Sequence, residues 1–413
     1  MDSTGPTGPA HPTGSAHFVD PADDAAPADA VRPARPVLTE LRLSTFKRHR
    51  RAVFPLGPVT LFTGASGSGK TSALQAYEAL ASLGAGAALD RAFPDPSACV
   101  PERAAADAQG RRGFRIGCTV DGPAGPVRLD LAIQAEPELR IVGERLTDGD
   151  GRTLLTTALR DPRRRTVQAE WHTAGLVPVT RAPLPDDRLA TALLPLRVAG
   201  RTEGQRRVLA AAEQVVVALR SVFPCDPQPQ RMRAPVAAGE GRLRRGCDNL
   251  AEVLHRTRAD CARRHARLAA VARAGCAGPV RDVGVEELAD GTVRAVLDRG
   301  TGAPGGGAAG AGSPLERLGE GELRYLALAL VLLTGPGVLA MDQAAEVPDA
   351  MQTLTVLADG FDRDLDRRQA RELVELAAGI CADGHMRLVG AVGETGARAA
   401  RGREGVTVVD LRA

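Results

Sequence analysis

Residues 64–71 read Gly-Ala-Ser-Gly-Ser-Gly-Lys-Thr, and no other stretch narrows the possible folds as much. Glycines let a main chain curl with its N–H groups turned toward an anion, and a helix that starts at the lysine adds its dipole. Such a loop works only where a strand leads in and a helix leads out. Both are predicted here. Val59-Thr60-Leu61-Phe62 is a short apolar strand, and behind the loop Leu74, Tyr77, Leu80 and Ala81 recur at helical spacing. The pattern therefore predicts a phosphate-binding loop on an α/β scaffold. Gly64, Ala65, Ser66, Gly67, Ser68, Gly69 and Ser72 would form the cradle, Lys70 would reach the outer phosphates, and the Thr71 hydroxyl would ligate Mg²⁺.

Composition sharpens this reading. The chain holds only two lysines, Lys47 and Lys70; every other one of its 53 Lys and Arg residues is arginine. A lysine survives where a compact ammonium on a flexible stem is needed and a planar guanidinium fits poorly. Aromatic residues are 3% of the chain, which argues against base stacking as a main activity. A formal charge of +3 argues against a strongly cationic coat, while a local basic groove stays open. Seven scattered cysteines without a CxxC pair read as reduced thiols. The histidines form no metal-binding spacing. No signal peptide or membrane span is predicted, because the apolar run from Leu323 to Met341 is interrupted by Thr334-Gly335-Pro336-Gly337. A soluble cytoplasmic protein is the expectation.

The organisation follows from periodicity. Residues 1–36, rich in Pro, Ala, Gly and Asp, are expected to be a disordered tail. Residues 37–113 are expected to carry the first part of an α/β head that holds the glycine loop. From 114 to 300 the expectation is an insertion. Val127, Leu129, Leu131 and Ile133 alternate with Arg128, Asp130, Ala132 and Gln134, the pattern of an antiparallel meander. Helices over Gln205–Phe223 and Asp248–Arg273 follow, then a hairpin around Asp290-Gly291. Residues 301–313 form a Gly-rich loop, and 314–413 return to the head. In that last part a helix is expected over Glu322–Leu333, a strand over Val338–Met341, and another helix over Asp366–Cys381.

Two further motifs carry chemistry. Val338-Leu339-Ala340-Met341-Asp342 reads as an apolar strand ending in a carboxylate, which would hold Mg²⁺ through water. Just before it, Leu318-Gly319-Glu320-Gly321-Glu322-Leu323-Arg324 opens a helix, and a Gly-rich helix N-terminus is an anion site.

Together these motifs resemble the ATP-binding heads of the RecF/SMC/ABC branch of P-loop proteins, in particular AAA-type ATPases related to the OLD proteins. The opening Leu41-Arg42-Leu43-Ser44-Thr45-Phe46-Lys47 is similar too, and the resemblance spans about residues 37–413. It implies an ABC/SMC-head-like P-loop NTPase that uses ATP and Mg²⁺. It also implies a head-to-head homodimer in which Gly319, Glu320 and Gly321 of one subunit face the γ-phosphate held by the other, with Lys47 near the nucleotide. The downstream partner, DNA or an effector protein, is left open; no membrane partner is implied.

Three departures from the family pattern bear on turnover. Gly319 replaces the signature serine. Gln343 stands where relatives carry a catalytic glutamate, and an amide is a poor proton acceptor. Gly393-Glu394 replaces a histidine after the strand that ends near Val392. Glu346, and less strongly Glu394, are the carboxylates at hand to compensate. The expectation is a slow ATPase acting as a dimerisation switch. A binding-only, ATP-dependent scaffold or regulator stands as the alternative. A small-molecule kinase is disfavoured by the signature-like loop, and a nuclease domain has no room after residue 411.

Overall fold

A computed structural model describes residues 35–172, 179–300, 312–341 and 347–411. Of the Gly-rich loop expected at 301–313, residues 301–311 lie outside the described residues, as do the tail up to residue 34 and Asp342, Gln343 and Glu346, whereas residues 312 and 313 belong to a short strand, Gly312–Pro314. The described residues all belong to one compact unit.

The alternating sequence after the glycine loop does build a meander, and the meander is part of a larger sheet. Strands β1 (Val37–Phe46), β2 (His49–Pro55), β4 (Arg112–Asp121), β5 (Val127–Glu136), β6 (Arg140–Thr147), β7 (Thr153–Ala158), β8 (Thr166–His172) and β9 (Val179–Pro185) form one antiparallel sheet in the order β2-β1-β4-β5-β6-β7-β8-β9. The first two strands come from the segment assigned to the head, so the boundary expected at residue 114 falls inside a sheet. The physical reason is register: Leu41 lies opposite Cys118 and Leu43 opposite Ile116, which puts all four on the buried face.

The second sheet is parallel. It holds β3 (Val59–Thr63), β10 (Val222–Cys225), β15 (Leu354–Ala358), β16 (Met386–Ala391) and β17 (Val406–Asp410) in the order β10-β15-β16-β3-β17. All five residues of β3 are buried, as expected for a parallel strand covered on both faces. Phe62 joins the apolar core shared with the antiparallel sheet, whereas Val59 and Leu61 join a second core on the other face. The helix after the glycine loop, α1 (Lys70–Gly84), packs against β1 on one side and β10, β15 and β16 on the other. Its Ala73, Ala76, Tyr77 and Leu80 are all buried.

Short helices α2 (Leu89–Ala92), α3 (Ala190–Leu193) and α5 (Pro229–Met232) make turns between larger elements. The long α4 (Glu203–Arg220) packs on α1. The helix expected over Asp248–Arg273 is two helices, α6 (Leu250–Asp260) and α7 (Ala262–Gly275), broken where Cys261 takes an extended backbone. A small antiparallel sheet of β11 (Val236–Ala237), β13 (Thr292–Asp298) and β12 (Asp282–Glu287), with β14 (Gly312–Pro314) on β13, lies beside them. Its β12–β13 turn is the hairpin expected at Asp290-Gly291. Helices α8 (Glu320–Leu333), α9 (Arg367–Ala382) and α10 (Glu394–Ala400) complete the second core.

One expectation fails in the central sheet. Residues 338–341 do not enter it. Pro336–Val338 is a 3₁₀ turn, and Leu339 makes only an isolated parallel bridge to Leu243. Gly335, Pro336 and Gly337 explain this, since a proline offers no ladder donor and glycines weaken a strand. The place between β10 and β16 is taken by Leu354-Thr355-Val356-Leu357-Ala358, buried throughout.

Candidate nucleotide-binding site

In an open parallel sheet the ends of the strands gather functional groups at the carboxyl edge. Here that edge brings together the glycine loop after β3, Asp359 after β15, the Asp226–Gln230 segment after β10, and Gly393-Glu394 after β16.

The loop has the backbone its sequence demands. Gly64, Gly67 and Gly69 all have positive φ. At Gly69, the residue before α1, φ is +98°, and an added Cβ would lie 2.5 Å from His49 Nε2. A side chain there would be both strained and obstructed. Lys70 Nζ donates to the carbonyls of Gly64 (2.7 Å) and Ala65 (3.1 Å), so the ammonium lies over the loop's own curve. Ser68 is buried, and its hydroxyl has no hydrogen-bond partner among the described residues. A buried polar atom without a partner carries a desolvation cost, and the cost is offset when a ligand supplies the bond. The inward curl, the lysine and the orphaned hydroxyl suit a phosphate group.

The Thr71 hydroxyl lies 3.3 Å from Asp359 Oδ1. Sequence reasoning missed Asp359. Its signal is a five-residue run, Leu-Thr-Val-Leu-Ala at 354–358, apolar but for Thr355 and followed by an aspartate. Asp342 obscures that signal, because it follows a similar run much nearer the Gly319–Gly321 loop. Gly360 comes next, with φ +64°, so no carboxylate follows Asp359 directly. Asp362, three residues on, is buried and accepts from the N–H groups of Gly393 (2.8 Å) and Gly396 (2.6 Å). Asp366 caps α9 through the Gln369 N–H (2.8 Å). Both carboxylates are therefore occupied. Glu394 is exposed and pairs with Arg398 (2.8 Å) and Arg401 (3.3 Å), which hold its carboxyl below the usual range.

The β1–β2 turn clamps the loop from outside. Lys47 makes no hydrogen bond to residues 64–71; its Nζ donates to Gln75 Oε1 on α1 (2.5 Å) beside a cavity of about 440 Å³. The contacts to the loop come from the two residues after Lys47. Arg48 donates to the Gly67 carbonyl, and His49 Nε2–H donates to the Gly69 carbonyl (3.0 Å). Burial lowers the His49 pKa below its ordinary value, outweighing the raising effect of that hydrogen bond.

The signature-like loop has its own internal partners. Glu322 closes α8 on itself by accepting from the Gly319 N–H (3.2 Å), and its other oxygen accepts from the Ala277 N–H (2.9 Å). The Gly319 N–H is thus engaged within the chain. Glu320 accepts from the Gln230 side chain. Gly321 is required by close approach: an added Cβ would lie 2.2 Å from the Asp364 carbonyl oxygen. Arg324, 2% exposed, ties this helix to the edge of the parallel sheet. Its guanidinium donates to the carbonyls of Pro227 (2.6 Å) and Gly360 (3.3 Å) and lies 3.6 Å from Asp226 Oδ1. The helix carrying Gly319–Gly321 is thereby bonded to the residue after Asp359.

Among the described residues, no cluster of His, Cys, Asp and Glu could hold a metal by itself. No helix there is long and apolar enough to cross a membrane.

No protein-family model and no curated protein match this chain. Its structural neighbours are SMC head domains. A SmcHead bound to the C-winged helix domain of ScpA aligns at 12% identity and TM-score 0.44, covering 90% of this chain and 96% of that one. An SMC head domain from Thermotoga maritima aligns at 14% identity and TM-score 0.38, covering 88% and 92%. A Smc head domain with an extended coiled coil, bound to the C-terminal domain of ScpA derived from Pyrococcus furiosus, aligns at 12% identity and TM-score 0.41, covering 90% and 95%.

Proposed function

We propose that this protein binds ATP with Mg²⁺ in the Gly64–Thr71 loop and acts as a slow, nucleotide-controlled dimerising switch. The observation that carries the reading is the approach of Thr71 Oγ1 to Asp359 Oδ1, at 3.3 Å. A hydroxyl at the start of the loop helix and a carboxylate at the end of an adjacent buried strand are the pair that phosphate-bound Mg²⁺ requires. Asp359, in place of Asp342, is assigned the metal role. Bound Mg²⁺ would neutralise phosphate charge; the chain's own groups do the rest. The loop N–H groups and Lys70 bind and orient the phosphates, and Arg48 and His49 hold the loop's outer carbonyls.

Slow turnover follows from Gly360. A water positioned for attack needs a proton acceptor, and the residue after Asp359 has no side chain to provide one. Asp362 and Asp366 hold backbone N–H groups elsewhere. Two copies meeting through Gly319–Gly321 would complete the site; the Gly319 N–H would first have to leave Glu322. A scaffold that binds ATP without hydrolysis is the second reading, and the same glycine favours it.

The test is ATP affinity with and without Mg²⁺ for the wild type, Lys70→Ala, Asp359→Asn and Asp342→Asn, with solution mass measured in parallel. Lys70→Ala should abolish binding. Asp359→Asn should lose the Mg²⁺-dependent part, and Asp342→Asn should keep it. Normal Mg²⁺ dependence in Asp359→Asn would overturn the assignment. A mass that ATP does not change would remove the dimer. Turnover no faster than the background reaction would leave the scaffold.

A further inference from the structure

Helices α9 and α10 pack against each other, and residues of both line a cavity of about 400 Å³. Five arginines face it: Arg367 and Arg371 from α9, Arg398 from α10, and Arg401 and Arg403 just beyond α10. None of the lining residues belongs to the Gly64–Thr71 loop, and Asp359 is not among them. The cavity is therefore distinct from the proposed nucleotide site.

The charges there do not balance. One lining carboxylate, Glu394, is shared between Arg398 (2.8 Å) and Arg401 (3.3 Å). Arg403 pairs with Glu375, and Arg371 lies 3.5 Å from its neighbour Glu372; neither acid lines the cavity. With both of those acids counted, two positive charges are left over. Arg367 is exposed, and its side chain has no hydrogen-bond or ion-pair partner among the described residues. The Thr395 hydroxyl lines the same cavity and has no hydrogen-bond partner among them either. The placement also opposes the helix. Arg367 is the first residue of α9, whose first turn holds no acid. The positive end of a helix dipole favours acids and disfavours cations. Arg371 follows four residues later, a spacing that sets like charges side by side on one helix face. The Asp366 cap offsets part of this repulsion. An anion held between the guanidiniums would offset the rest.

We propose that this cavity is a second anion site, which takes a small molecule carrying two or more phosphate groups. Three observations select this ligand. A guanidinium fork matches phosphate oxygens two at a time, and a phosphate group brings three acceptor oxygens and close to two charges. It therefore uses the N–H donors gathered here better than a carboxylate does. The cations come from two helices, so a single inorganic phosphate would leave the arginines of one helix unmatched. A volume of about 400 Å³ is that of a small-ligand pocket. The unpartnered Thr395 hydroxyl adds a neutral donor to the same space. This inference goes beyond the nucleotide reading and does not depend on it.

The test is calorimetric titration of inorganic tripolyphosphate into the full chain carrying Lys70→Ala, with and without Arg367→Ala/Arg371→Ala. Lys70→Ala removes the ammonium of the glycine loop from the competition for phosphate. Arg367 has no partner to lose and Arg371 only a long contact to Glu372, so the double substitution should keep the fold. Taking two cations from the start of α9 should leave the melting temperature unchanged or slightly raised. Tripolyphosphate should bind the Lys70→Ala protein and should bind about tenfold more weakly, or less, once both arginines are gone, the scale of two exposed charged contacts. The same double substitution in otherwise wild-type protein should leave ATP affinity unchanged. Tripolyphosphate affinity that survives the double substitution within about twofold overturns the proposal. So does an absence of tripolyphosphate binding in Lys70→Ala. Inorganic phosphate binding as tightly as tripolyphosphate, or citrate binding more tightly, overturns it as well. The titration also counts sites: a glycine loop that still binds phosphate without Lys70 would register as a second site, a failure of the nucleotide assignment that leaves the arginine-dependent site readable.

Discussion

Arg324 offers the sharpest test of how the second core is held together. Replacing it with methionine keeps the volume and removes the charge. Two hydrogen bonds from a charged donor disappear, to Pro227 and Gly360, each worth about 1.5–3 kcal/mol. Asp226 also loses its cation, but that side chain is about one-third exposed, so water replaces much of the interaction. Methionine recovers some packing. The net cost should be about 3–5 kcal/mol, the range for breaking one side of a buried charged contact. Arg324→Lys should cost roughly half of that, because a point ammonium cannot span both carbonyls. Urea unfolding followed by circular dichroism and by fluorescence of Trp171 is the assay. Trp171, the chain's single tryptophan, is buried in β8 and reports on the antiparallel sheet. At a slope of about 3 kcal/mol per molar urea, the methionine variant's midpoint should fall by about 1 M or more. A loss below about 1 kcal/mol for Arg324→Met would refute the reasoning, since the buried guanidinium would then contribute little beyond its bulk.

The surroundings of the glycine loop set three further outcomes. Gly69→Ala forces a side chain into φ +98° and against His49, and should cost about 1–3 kcal/mol while weakening ATP binding; a variant with wild-type melting temperature and affinity would contradict this. His49 has its folded-state pKa lowered by burial, so below about pH 6.5 the unfolded chain takes up a proton that the folded chain resists. Its stability contribution is therefore present above that pH and lost as pH falls through it, and His49→Gln should show a smaller drop in melting temperature between about pH 7.5 and about pH 5.5 than the wild type. Glu394→Gln should leave ATP turnover unchanged, because that carboxylate faces Arg398 and Arg401; a large fall in turnover would place it in the reaction.

Much of this was legible in the sequence because it is local. The loop at 64–71 sits between the expected strand and helix, since backbone freedom at glycine and apolar periodicity are properties of neighbouring residues. The β5 alternation from Val127 to Ile133 put those four side chains in the core for the same reason. The hairpin at Asp290-Gly291 and the helix from Glu320 were equally local. What sequence could not settle was which apolar run enters the parallel sheet. Val338–Met341 and Leu354–Ala358 are both followed by aspartate, and local pattern gives them equal claim. Only β10 and β16, distant in the chain on either side, leave a slot that Leu354–Ala358 fills on both faces. Arg48 and His49 were likewise invisible as partners of the glycine loop, because a turn between two strands of one sheet meets a loop from the other only when the sheets pack. Sequence determined that a glycine loop lies between a strand and a helix; the packing of two sheets around α1 decided which carboxylate faces it.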